Sequence, residues 1–176
     1  MAIDRQKTET VHWHAVFTAS RAEKKVRDRL EELGVECFLP VQMVLRQWTY
    51  RKSRVVVPVI AGLVFVRVGR QEQVKVLQTK GVVAFLRLKG EAGAAVIPDK
   101  QMEDFRFLLD FSEEAVEMTN ENIKAGDLVR VVKGSLRGME GELIRHKGVT
   151  KVLVRIDMLG CAMVNIPASF VEKLNK

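Results

Sequence analysis

Arg21, Lys25 and Arg29 recur every fourth residue. On a helix they form one cationic stripe, and like charges at that spacing cost a helix about 0.2–0.5 kcal/mol per pair. Such a stripe either faces an anion, of which nucleic acid is the commonest, or is a solvated face beside Asp28 and Glu32. A second basic group, "RQWTYRKSR" (Arg46 to Arg54), sets Trp48 and Tyr50 on one strand face among basic side chains. Aromatics so placed can stack on unpaired nucleotides. The plainer reading, preferred for Trp48, is a hairpin whose aromatics pack on their neighbours while the basic tip touches phosphate.

Other candidate chemistry is thinner. His12 and His14 flank Trp13 and point to one face of a strand, but no third metal ligand accompanies them and His146 is distant. No metal or other cofactor is expected. "GDLVRVVKGSLRGMEGEL" (126–143) holds four glycines among basic residues. A phosphate-binding loop would follow its last glycine with lysine and Ser/Thr, which are missing, so the glycines belong to turns and bulges. No nucleophile has a base nearby, and no carboxylates are paired in a catalytic setting, so an enzyme is not expected. Cys37 and Cys161 lie far apart in apolar strand-like contexts and read as reduced core thiols.

The elements that must carry these residues follow from periodicity. "VHWHAVFT" reads as a first strand. Ser20 and Glu23 have capping-box spacing; Ala22, Val26, Leu30 and Leu33 form an apolar stripe that Gly34 ends. Two β-rich stretches joined through the basic tip come next, then a short helix stopped by Gly81, the strand "VVAFLRL", and a third helix. That helix has Asp99 as its predicted N-cap and buries Met102, Phe105, Leu108 and Leu109. "SEEAVEMTNEN" (112–122) is acidic and aperiodic and reads as a linker. Beyond it lie only short strands and glycine-bearing turns, the pattern of a small closed barrel.

Of the 176 residues, 47% are hydrophobic and 29% charged, enough for a core and for solubility. Residues 1–111 carry 19 basic and 13 acidic residues, residues 112–123 four acidic and no basic ones, and residues 124–176 ten basic and five acidic. Two basic blocks thus flank an acidic segment. The longest apolar run, Val55 to Val66, is too short to span a membrane and is broken by proline and glycine. The polar start "MAIDRQKTET" has no apolar signal core, and a cytoplasmic location without membrane contact is expected.

"GDLVRVVKGSLRGMEGELI" resembles a KOW motif, the glycine-centred turn of SH3-like barrels. "WHAVFTASRAEKKVRDRLEELGVECFLP", "VPVIAGLVFVRV" and "KGVVAFLRL" together resemble the N-terminal domain of the NusG family, over residues 11–174 in all. Within that family the chain looks most similar to specialised UpxY/RfaH-type antiterminators. The resemblance implies an α+β chain: an antiparallel sheet flanked by helices (residues 1–111), an acidic linker (112–123) and a five-stranded SH3-like barrel (124–176). It implies a monomeric elongation factor that suppresses pausing and termination, on an operon such as one for surface polysaccharide. Ile60, Leu63, Phe65, Phe85 and Leu88 would face the clamp helices of the largest RNA polymerase subunit, although "IAGL" stands where a Phe-Pro-Gly-Tyr-type sequence is usual. Glu72 and Gln73 would meet the other large subunit. Lys25 and Arg29, with Arg21 on the same stripe, and Lys75, Thr79 and Lys80 would touch the non-template DNA strand; upstream DNA is a further candidate. The barrel would offer its edge to a ribosomal protein or to Rho. Two other readings fit the residues: a housekeeping factor coupling polymerase to Rho or the ribosome, and a ribosome-associated RNA-binding KOW protein.

Overall fold

The computed structural model describes residues 9–174. In chain order its elements are β1 (His12–Thr18), α1 (Glu23–Glu32), β2 (Glu36–Phe38), β3 (Val41–Gln47), β4 (Lys52–Pro58), β5 (Leu63–Val68), α2 (Glu72–Leu77), β6 (Val82–Phe85), α3 (Asp99–Phe111), β7 (Glu117–Thr119), β8 (Asp127–Val131), β9 (Glu140–His146), β10 (Val149–Ile156), β11 (Gly160–Asn165) and β12 (Val171–Lys173). This is the sheet-rich α+β class expected. Residues 1–8, which carry most of the polar start, lie outside the described residues. Among the described residues no helix is long and apolar enough to cross a membrane.

Packing divides the chain into two compact units. One combines the described residues up to Leu39 with Gly62–Val96; the other combines Pro40–Ala61 with the described residues from Ile97 onward. The first, the sheet unit, is a four-stranded antiparallel sheet in the order β2-β5-β1-β6 with α1 and α2. That order is the split β-α-β arrangement. Register assigns the faces, because residues opposite one another in an antiparallel pair share a face. Phe17 faces Leu63 and Ala15 faces Phe65 across β1 and β5, whereas Val16 lies opposite both Val64 and Phe85. Val16, Val64, Val66, Ala15 and Phe65 are all fully buried, so both faces contribute core.

α1 buries Val26 and Leu30 as expected, but two expectations at its ends are corrected. Ala22, not Ser20, occupies the N-cap position, and no side chain caps it. Glu23 is drawn elsewhere: its Oε1 accepts from Gly62 N–H at 2.7 Å, tying α1 to the start of β5. Leu33 falls at the C-cap, past the last helical turn, and stays exposed.

The second, the barrel unit, holds a six-stranded antiparallel sheet in the order β12-β8-β9-β10-β11-β7. Strands β8 to β12 are the five expected. β7 is a sixth, formed inside the acidic segment that has no strand period. Close strand packing explains one motif glycine: a Cβ on Gly126 would lie 2.1 Å from the Leu143 carbonyl oxygen. α3 buries Met102, Phe105 and Leu108, while Leu109 is only half-buried. Asp99 is its first helical residue rather than its cap, which is Pro98. β3 and β4 form a separate two-stranded ribbon. Trp48 and Tyr50 sit in the turn at its tip, not on a strand face; Trp48 Nε1 donates to Ser53 Oγ at 3.1 Å, and Tyr50 is 97% exposed.

Candidate functional site

The sheet unit gathers the six candidate DNA-contact residues around one helix–turn contact. Ala19 N–H donates to Gly81 O at 2.8 Å, which brings the entry to α1 beside the turn after α2. Gly81 has φ +100°, and a Cβ there would meet Val26 Cγ2 at 2.8 Å, so the turn lies flush on α1. Arg29 Nη1 then reaches the Lys80 carbonyl oxygen at 2.7 Å. Lys75 Nζ donates to the Leu33 carbonyl at the C-terminal end of α1, where a cation is favoured. The Thr79 hydroxyl turns inward onto Lys75 O at 3.1 Å, and the residue is buried. The six therefore divide by task. Arg29, Lys75 and Thr79 bind backbone and shape the surface. Arg21, Lys25 and Lys80 are exposed, and Arg21 is held at φ 57° at the head of α1. Positive charge projecting from a rigid helix–turn pair is what a polyanion needs.

The apolar candidates do not form one groove. Leu63 and Phe65 share a sheet face and are 2% and 0% exposed; Phe65 packs on Phe38 with ring centroids 6.2 Å apart. Phe85 lies on the opposite face, 4% exposed, its ring meeting His14 edge-on at 5.7 Å. Leu88 lies beyond the end of β6 and is exposed. Ile60 is half-buried and belongs to the barrel unit. Glu72 and Gln73 open α2, where Glu72 Oε2 accepts from Gly69 N–H at 3.3 Å and Gln73 lines a cavity with His12, His14, Glu9 and Arg70. Sequence reasoning missed Phe17 and Val83, large apolar residues left exposed on β1 and β6. Alternation gives no signal for either: Phe17 shares its face with buried Leu63, and Val83 falls at the register shift where β6 slips against β1.

The two histidines share a face as expected. His14 is buried, and its Nδ1 lies 2.8 Å from Ala95 O. Burial pushes its pKa down, helped by the neighbouring His12 charge and opposed by the bond to Ala95. Among the described residues, no three of His, Cys, Asp and Glu come together as a metal site. Cys37 and Cys161 are free thiols. Burial raises both, Cys37 to about 11, where it is a poor nucleophile. In the barrel unit Arg155 grips Glu142 with two bonds (2.6 and 2.9 Å) and donates to Ile123 O at 3.0 Å, while Glu142 accepts from Gly126 N–H at 3.0 Å. The Arg155 bonds hold the Glu142 carboxyl below its usual range. This network ties the entry to β8 at Gly126 onto β9 and β10 and occupies the Glu142 carboxylate.

No curated protein is similar enough to count as a match. Among solved structures, the chain resembles one described as "Domain interaction in Thermotoga maritima NusG", with 22% identity over 94% of this chain and 98% of that one and a TM-score of 0.47. It also resembles an MjSpt4:Spt5 complex in conformation B, with 17% identity over 93% and 97% of the two chains and a TM-score of 0.30. A family model described as "NusG: Transcription termination factor nusG" matches residues 11–106, more than half of the chain. That span contains β1 through β6 and both helices of the sheet unit. The chain belongs to the NusG family of transcription elongation factors.

Proposed function

We propose that this chain binds transcribing RNA polymerase, holds the exposed non-template DNA strand and suppresses pausing and termination. The observation that carries the reading is the exposed cationic group Arg21, Lys25 and Lys80, set on a rigid helix–turn pair inside the family-matched segment. Members of this family are transcription factors rather than enzymes.

In this reading the largest polymerase subunit meets exposed apolar side chains of the sheet unit, Leu88, Phe17 and Val83. Leu63, Phe65 and Phe85 support that surface from the core, and Ile60, Glu72 and Gln73 remain candidate contacts. The residue-by-residue resemblance noted above supports a specialised antiterminator of the UpxY/RfaH type, and the barrel is assigned a ribosomal protein as partner; Rho in that place belongs to the housekeeping alternative. Residues 1–111 take the polymerase role, 124–176 the partner role, and 112–123 connect them.

The test is binding of the full chain to reconstituted elongation complexes with and without an exposed non-template strand. Retention that needs that strand, and that fails for Lys25→Ala with Lys80→Ala, supports the reading. Retention indifferent to both the strand and the lysines refutes the DNA contact.

A further inference from the structure

Residues 112–119 lie along the barrel unit, bent at 113–114 and running out as a strand over 117–119, although their sequence shows no strand period. β7 pairs with β11 through Glu117, Met118 and Thr119 against Met163, Ala162 and Cys161. One residue earlier, the side-chain amide of Gln42 takes the place of a neighbouring strand's peptide group. Its Nε2 donates to Val116 O at 3.2 Å, and Val116 N–H donates to its Oε1 at 2.9 Å. Asn165 Nδ2 donates to Glu114 Oε2 at 2.8 Å. The Glu117 carboxylate meets Lys151 Nζ at 2.7 Å, and that lysine side chain is only 5% exposed. A buried ammonium requires a counter-ion, and here β7 supplies it.

The hold is incomplete. Only three residues pair with β11, and the Glu117 side chain stays 52% exposed. Beside 112–114 lies a cavity of about 230 Å³ whose lining includes Leu136, Val164, Ile166 and Phe170, with Lys133 also present. Lys133, Ser135 and Asn165 make part of the lining polar, and the serine and two glutamates that the segment offers leave its apolar wall unfilled. A strand edge, a buried cation and an unfilled apolar pocket are the parts of a β-strand-addition site: the ladder supplies affinity and the pockets supply selectivity.

We propose that the β11 edge is a docking site for an extended acidic segment of a partner protein, and that residues 112–119 occupy it as a tethered stand-in. The incoming strand sets a carboxylate on Lys151. Three or four residues towards its N-terminus, a large apolar side chain enters the cavity beside Leu136 and Phe170. The chain's own segment lifts away in exchange. These elements are separate from those assigned to polymerase and DNA, so the site stands or fails independently of them.

The experiment titrates two labelled peptides against the full chain by fluorescence anisotropy. One is SFEAVEMT, the 112–119 sequence with phenylalanine in second place; the other carries glutamine at the Glu117 position as well. The first peptide should bind a Val116→Ser chain about tenfold tighter than the unaltered one, because apparent affinity scales with the open fraction. The glutamine peptide should bind more weakly, and Lys151→Met should erase the difference between the two. In the unaltered chain, amides of 117–119 should exchange with solvent faster than those of β10, a measurement that needs no variant. Amides of 117–119 as protected as β10, with no peptide binding, would make β7 a permanent part of the barrel and overturn the proposal. Binding indifferent to Lys151 would also overturn it. A concentration-dependent dimer of the Val116→Ser chain that takes up neither peptide would assign the edge to a second copy instead.

Discussion

At the residue scale, hydrogen bonding to backbone separates the side chains that build the surface from those left to meet a partner. Lys25 and Lys80 project freely, whereas Arg29 and Lys75 spend hydrogen bonds on backbone carbonyls. Replacing Lys25 and Lys80 by alanine removes two cations and leaves the packing intact. The slope of log K against log salt for single-stranded DNA should become shallower by about 1.4, at roughly 0.7 per lost phosphate contact. An unchanged slope would leave the stripe a solvated face. His14 gives a second prediction. Its pKa is lowered by burial from the ordinary 6.5, so the unfolded chain binds its proton more readily than the folded one. Stability contributed by neutral His14 is therefore complete above about pH 6.5 and declines as pH falls from there. Glu142, whose pKa is also lowered, adds a loss further down, as pH falls from the ordinary 4.5 through its folded value. His12, Glu9 and Arg70 line the same cavity as His14. A His14→Leu chain should melt with a flatter pH dependence between pH 6.5 and 5, measured by thermal denaturation in matched buffers.

At the scale of elements, the α2–β6 turn positions the cationic group. Gly81→Ala requires a side chain at φ +100° and a clash with Val26, a strain on the order of 1–3 kcal/mol. The variant should melt lower and lose DNA affinity together, since Lys80 moves with the turn; a lowered melting point with unchanged DNA affinity would uncouple them. Leu63→Asp would bury an unpaired charge in the sheet and should unfold the unit, so it reports on folding. Leu88→Asp, at an exposed position, should keep the melting profile and weaken polymerase binding, checked by pull-down with the core enzyme. Most strands, the three helices and the glycine stop at Gly34 were legible because period and breakers are local signals, whereas α2 ends at Leu77, short of the expected stop at Gly81. The Ser20 cap was not, because Gly62, 39 residues beyond Glu23, competes for that carboxylate. The apolar groove failed for a related reason. Sequence order places Leu63, Phe65 and Phe85 near one another, but register decides which face each takes, and register is set by pairing across distant strands. β7 was hidden because its pairing depends on β11 and on Gln42 rather than on its own composition.

At the scale of the whole molecule, the chain holds a sheet unit bearing exposed cations and apolar side chains and a barrel unit in which Arg155 and Glu142 hold the entry to β8 at Gly126. No catalytic group is needed for that arrangement to act. Under the proposed function, binding energy placed across a moving polymerase and its displaced strand would slow entry into the paused state. Single-round transcription through a strong pause followed by a terminator, with saturating full-length chain, tests this most directly. The account predicts a shorter pause lifetime and more run-through, both reduced by Lys25→Ala with Lys80→Ala and by Leu88→Asp at unchanged melting temperature. Folded chain that leaves pause lifetime and run-through unaltered, or that lowers run-through when Rho is added, would contradict it.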